Sequence, residues 1–213
     1  MALVKVIQER WESQIGIWKV EESIEELKNK LILNEEEIRF YNSLNKNKRN
    51  LHWLSSRVLL RTLLKTDEFI EVYGDKHGKP HLVNLDYEIS ISHSYDYAAA
   101  MISKKKVGVD IEKIKPVISN IALKFLHECE LKQVDIQSDI KKLYVYWCAK
   151  ESVFKMNGKK GLIFREDIVI DPFDFNEDGD KVSAYYVTDG KKNDVVIDYQ
   201  LIDGYMLTYV IQD

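Results

Sequence analysis

Asp110 and Glu112 punctuate the apolar run VGVDIE, residues 107–112. In a strand, positions i and i+2 lie on one face at ~3.3 Å per residue, so these carboxylates project side by side with their backbones about 7 Å apart. Like charges at that range need solvent, a lysine or a metal, and an oxygen-rich pair of this kind suits magnesium when a phosphate supplies further ligands. The same spacing also fits the solvated face of an edge strand. A third carboxylate weighs toward the cation. In KKLYVYWCAKESVFKM, residues 141–156, Leu143, Trp147 and Phe154 form an apolar stripe, and Glu151 falls inside it. Glu151 can pair with Lys155 at i, i+4, an ordinary surface arrangement. Beside a tryptophan it reads better as a third metal ligand or a buried partner. Lys150 and Lys155 flank it as ammonium groups able to meet phosphate oxygens as point charges.

Two further segments offer phosphate-binding groups. In SISHS, residues 90–94, His93 and its serine neighbours interrupt a strand just before the apolar YAAAMI. Hydroxyl, ring and backbone donors there suit a phosphate; the bland alternative is a satisfied histidine at a strand end. HGKPHL, residues 77–82, offers glycine, Lys79 and the rigid Pro80, which fits a ligand-covering loop or merely a tight turn. The basic run KNKRN, residues 46–50, reads alone as a solvated face, yet with Arg57 and Arg61 it concentrates positive charge in an acidic chain.

The elements that must position these groups are legible from periodicity. Residues 21–44 place Ile24, Leu27, Leu31, Ile38 and Tyr41 at helical spacing, with Asn34 able to cap the second of two short helices. Residues 50–64 form an amphipathic helix with Arg57 and Arg61 on one face. EFIEVYGDKHGKPHL then gives a strand, a glycine turn and an extended Lys-Pro segment. DYEISISHSYDYAAAMIS and KKKVGVDIE suggest a hairpin or meander. Helical pattern returns through residues 120–134 and 141–156, and GKKGLIFREDIVI resumes strand character. Three alternating segments joined by DGKK and DG turns close the chain. The echo of EISISHSYDYAAAMIS in VVIDYQLIDGYMLTYVI points to an internal duplication joined near residues 113–118, with halves 1–112 and 113–213 packed tightly because no Ser/Gly-rich linker separates them.

Composition excludes several classes. The chain has 213 residues, 45% hydrophobic and 31% charged, an ordinary globular balance. A formal net charge of -4 argues against a nucleic-acid partner. No apolar run approaches the ~18 residues that span a bilayer, and MALVKVIQERWE turns charged too early for a signal-peptide core, so no membrane association and a cytoplasmic location are expected. Cys129 and Cys148 are the only cysteines and lack zinc-ligand spacing, so both are expected to be structural.

The order GKP, SHS, GVDIE and then WCAKESVFK resembles the phosphopantetheinyl transferases of the larger, Sfp type, which act as single-chain pseudo-dimers; the likeness runs from about Arg49 to Leu162. That family's signature is G-x-D followed by W-x-x-K-E-x-x-x-K, and Gly108, Asp110, Trp147, Lys150, Glu151 and Lys155 occupy every fixed position. The resemblance implies an α/β (α+β) fold of two similar halves, each an antiparallel sheet packed with a helix, with substrate between them. It implies a monomeric enzyme that moves the 4′-phosphopantetheine arm of coenzyme A to a serine of an apo acyl carrier or peptidyl carrier protein. Asp110, Glu112 and Glu151 would hold magnesium, and Lys155 would meet the phosphate under attack. Lys150 would also meet phosphate. Arg61, Ser92 and His93 would lie near the 3′-phosphate, with Arg49 a further candidate, and Lys79 and Pro80 near the adenine. Glu130, in FLHECE, would be the general base. Another magnesium-dependent nucleotide-diphosphate transferase would share the carboxylates without needing the SHS and GKP segments, and a non-catalytic carrier-binding homologue would lack one of the three.

Overall fold

The computed structural model describes residues 3–44, 48–158 and 161–212, and its packing divides the chain into Met1–Lys105 and Lys106–Asp213. In the first unit, strands β1 (Leu3–Glu9) and β2 (Ser13–Lys19) precede helices α1 (Ile24–Asn29), α2 (Glu35–Ser43) and α3 (Lys48–Leu64). The short strands β3 (Val72–Gly74) and β4 (Pro80–Leu82) pair with each other, and β5 (Glu88–Ser94) and β6 (Tyr97–Ser103) form a hairpin. The antiparallel sheet runs β1-β2-β6-β5. Its inward residues Trp18, Ile89, Ala98, Ala100 and Ile102 bury against Leu54, Val58, Leu59 and Leu63 of α3. Both short helices start on capping boxes, Ser23 with Glu26 and Asn34 with Glu37, which satisfy the first free N–H groups. The sequence carries no signal for the β1–β2 hairpin: its tip places Trp11 and Glu12 at φ of 61° and 54°, without the glycine that normally announces such a turn. In the basic run, residues 46 and 47 lie outside the described residues, as do 159 and 160 of the GKKG turn.

The second unit opens on β7 (Val107–Lys113), followed by a 3₁₀ turn (Pro116–Ile121), α4 (Ala122–Phe125) and a second 3₁₀ turn (Glu130–Gln133). Next come α5 (Ile140–Asn157), α6 (Phe164–Asp167), β8 (Ile168–Ile170), β9 (Asp180–Thr188), β10 (Lys191–Ile202) and β11 (Tyr205–Ile211). Its antiparallel sheet runs β7-β11-β10-β9-β8. Leu143, Val145, Ala149, Val153 and Met156 of α5 join the core with Ile197, Met206 and Val210 of the sheet. Each unit is thus an antiparallel sheet with one long helix laid on it, the α+β architecture expected.

By packing, the two units divide between Lys105 and Lys106, a few residues before the join read from the sequence. β7 does not extend the β5–β6 hairpin into a meander: it pairs along its whole length with β11, from Val107↔Ile211 to Lys113↔Tyr205. The helix read over 120–134 is also broken. Leu126 turns extended at φ -77°, ψ 130°, and the chain resumes only as a 3₁₀ turn whose Glu130 side chain points inward and accepts from His127 N at 2.7 Å.

Candidate active site

The site in the second unit depends on a missing side chain. A Cβ at Gly108 would lie 1.8 Å from Ser152 O and 2.9 Å from Met156 N, so only glycine lets the backbone of α5 rest against β7. Residues 108, 110 and 112 share a strand face. Gly108 meets α5, so the same face carries Asp110 and Glu112 toward the helix. There Asp110, 3% exposed, accepts from Lys155 Nζ on Oδ1 at 2.6 Å, and the same ammonium donates to Val109 O at 3.2 Å. Lys155 therefore serves Asp110 rather than its helical neighbour Glu151. Burial raises the Glu151 carboxyl to about 7; Asp110 and, more weakly, Glu112 push the same way against the opposing charge of Lys155. Burial, then Asp110 and Glu112, push the Cys148 thiol well up, so it remains a neutral packing group. Below this seam, Ser152 Oγ lies 2.6 Å from Thr208 Oγ1 and donates to Thr208 O at 3.1 Å, fixing α5 to β11 opposite Asp110. Cys148, Ser152 and Thr208 carry no motif by themselves, and only their position beside Asp110 reveals them.

Among the described residues, no three His, Cys, Asp or Glu side chains stand in metal-holding geometry. The donor set nonetheless fits magnesium. Asp110, Glu112 and Glu151 are close enough for their charges to oppose ionisation of Glu151, and magnesium takes one or two carboxylates plus water and substrate phosphate rather than a complete protein cage.

Glu130 and Lys150 are placed differently from expectation. Both are buried, and Lys150 Nζ donates to Glu130 Oε2 at 2.7 Å. Burial raises the Glu130 carboxyl and lowers the Lys150 ammonium, each partly offset by the charge of the other. In this conformation neither side chain faces solvent, where a phosphate or a serine would approach.

In the first unit, a groove of about 760 Å³ is lined by Arg49, Trp53, Arg57, Tyr73, Pro80 and His93, among others. Arg57 stacks over Trp53, 3.7 Å from the ring centroid, and donates from Nε to Glu37 Oε1 at 3.2 Å. His93 stacks on His52 with centroids 4.4 Å apart. Arg49, Pro80 and His93 are thus brought together. Arg61 is not among the lining residues: its guanidinium is turned onto the backbone oxygens of Asp67 and Glu68. Strand alternation sends Ser92, which is buried, to the face opposite His93. Lys79 Nζ lies 4.0 Å from Glu88 Oε2. Arg57, one helical turn before Arg61, lines the groove although the sequence marks it only as part of a concentration of positive charge, not as a site residue.

Comparison with known proteins bears on the second unit. The family model of the 4′-phosphopantetheinyl transferase superfamily matches residues 106–210. The chain is 34% identical over 109 residues to the 4′-phosphopantetheinyl transferase gsp of Aneurinibacillus migulanus, covering 50% of this chain and 46% of that protein. It is 36% identical over 90 residues to the 4′-phosphopantetheinyl transferase Sfp of Bacillus subtilis (strain 168), 39% of each. A putative 4′-phosphopantetheinyl transferase of Haemophilus influenzae is 28% identical over 117 residues, 48% of this chain and 49% of that one. The matches therefore span less than half the length of these curated relatives. The matched segment contains β7, α5 and every residue of the acidic seam, and over it the chain is similar to the 4′-phosphopantetheinyl transferase superfamily, relatives of the Sfp type among them.

Proposed function

We propose that this protein transfers the 4′-phosphopantetheine arm of coenzyme A to a serine of an apo acyl carrier or peptidyl carrier protein, releasing adenosine 3′,5′-bisphosphate. The observation that carries the reading is the pairing of buried Asp110 with the partly exposed Lys155, with Glu151 crowded beside it, on the strand and helix that the family match spans. Asp110, Glu112 and Glu151 would hold magnesium, which supplies charge stabilisation to a diphosphate under attack. Ionised Glu151 completes the negative set and so must release its proton first. Lys155, anchored on Val109 O and Asp110, presents one ammonium at a fixed place, where it can neutralise charge developing on phosphorus-bound oxygen without reorganising. In the first unit, the groove of Arg49, Pro80 and His93 is the candidate for the nucleotide end of coenzyme A, with Arg57 and Trp53 offering a cation and an aromatic face. No helix among the described residues is long and apolar enough to cross a membrane, and we place the reaction in the cytoplasm with the protein acting as a monomer.

The test is incubation with coenzyme A, magnesium and a panel of apo-carriers, read by intact mass. A carrier heavier by one phosphopantetheine, dependent on magnesium and lost in Asp110→Asn, is the expected result. Full transfer by Asp110→Asn at low magnesium would remove the metal assignment.

A further inference from the structure

Lys150 is fully buried on the α5 turn that also carries Trp147 and Glu151. Its ammonium has four oxygens in hydrogen-bond reach: Glu130 Oε2 and Ile168 O at 2.7 Å, Phe125 O at 2.8 Å and Phe164 O at 2.9 Å. An ammonium has three donors, so one of these contacts is shared. Glu130 is equally committed, accepting from His127 N on Oε2 and from Ile170 N on Oε1, each at 2.7 Å. The pair therefore gathers the end of α4, the 3₁₀ turn Glu130–Gln133, both ends of α6 and β8 onto a single turn of α5. Both side chains of this ion pair are at 0% exposure. A lysine this enclosed does not reach a coenzyme phosphate without abandoning its acceptors. Glu130 does not reach a carrier serine without leaving a buried ammonium uncompensated.

We infer that Lys150 and Glu130 are positioning residues: the pair fixes the height and rotation of α5 over β7, and hence where Glu151 and Lys155 stand relative to Asp110. Lys150 precedes Glu151 directly, so a shift of its anchor moves the carboxylate. The opposite side of the same helix segment is held by Ser152 on Thr208. The turn is thus clamped from two sides, by a neutral hydroxyl pair and by an ion pair. The inference rests on the proposed use of Asp110 and Glu151 as metal ligands.

The test is a double-mutant cycle of Lys150→Met, Glu130→Gln and the two combined. Manganese(II), which shares magnesium's preference for octahedral oxygen sites, is titrated into chelator-stripped protein and read by the EPR signal of the free ion. Magnesium-dependent transfer is measured alongside. Each single variant is expected to weaken metal binding about tenfold while KM for the carrier stays within about twofold; the double variant should return to within about threefold of wild type, because each substitution removes the charge that the other strands. Should Lys150→Met not fold, Glu130→Gln and the double variant still decide the matter. Loss of turnover in Glu130→Gln with unchanged metal affinity and no recovery in the double variant would overturn the inference and return Glu130 to proton transfer. Metal affinities that shift as expected in a protein that modifies no carrier would refute the proposed function and support the positioning role.

Discussion

Gly108→Ala isolates the contact on which the site is built. The added methyl would sit 1.8 Å from Ser152 O, where real Cβ atoms essentially never approach closer than 3.0 Å, and it would also meet Ser152 C and Met156 N at 2.8 and 2.9 Å. All three obstacles are helix backbone, so no rotamer change relieves them; α5 must lift from β7 by roughly 1 Å or the strand must bend. Overpacking a core costs about 1–3 kcal/mol, and a backbone-to-backbone clash belongs at the upper end, so a loss of about 3 kcal/mol is expected. Lifting α5 also separates Glu151 and Lys155 from Asp110, and a misplacement of about 1 Å costs on the order of 10²-fold in rate. Urea unfolding followed by the fluorescence of Trp147, the sole tryptophan of residues 106–213, measures the first effect; transfer against magnesium concentration measures the second. Gly16→Ala is the control. Its Cβ would meet Leu59 Cδ1 at 2.7 Å, the end of a side chain that can rotate, so a loss of about 1 kcal/mol with normal magnesium dependence is expected. A Gly108→Ala protein with wild-type urea midpoint and magnesium dependence would refute the reasoning.

Three other perturbations have defined outcomes. The Glu151 carboxyl is raised to about 7 in the folded state, chiefly by burial, from an ordinary value of 4.5. The native state thus holds the proton that the unfolded chain releases, and in chelator stability falls as pH rises from about 4.5 to about 7. Melting curves across that window should show this slope in wild type and lose it in Glu151→Gln; an equal slope in both would assign it to other groups. Tyr146 is fully buried and its hydroxyl has no hydrogen-bond partner among the described residues, so Tyr146→Phe should leave stability unchanged or raise it by about 1 kcal/mol in urea unfolding; a clear loss would reveal a buried partner such as water. Arg49→Ala should narrow any preference for coenzyme A over dephospho-coenzyme A about tenfold, as for loss of a charge-assisted contact. Arg61→Ala, whose guanidinium is spent on Asp67 and Glu68, should leave that preference intact, and competition kinetics with both substrates would expose the reverse.

Local spacing determined much of this protein. The i, i+2 carboxylates of β7, the stripe on α5 that holds Glu151, the Asn34 cap and the Asp-Gly hairpins all follow from backbone periodicity, which acts over a few residues. Alternation along β5 by itself separates Ser92 from His93. Tertiary structure decided which partner each charge took. Lys150 and Lys155 look equivalent in the motif, yet one turns inward to Glu130, 20 residues away, and the other to Asp110, 45 residues away. Arg57 and Arg61 share a helix face, but the nearby 67–68 backbone captures only the second. Pairing of β7 with β11, nearly a hundred residues downstream, moved the strand of Asp110 and Glu112 out of the first half. Sequence spacing limits what a side chain can face locally, whereas burial and the competition among distant acceptors settle what it meets, because an unpaired charge or an unpaired strand edge is costly wherever the chain encloses it.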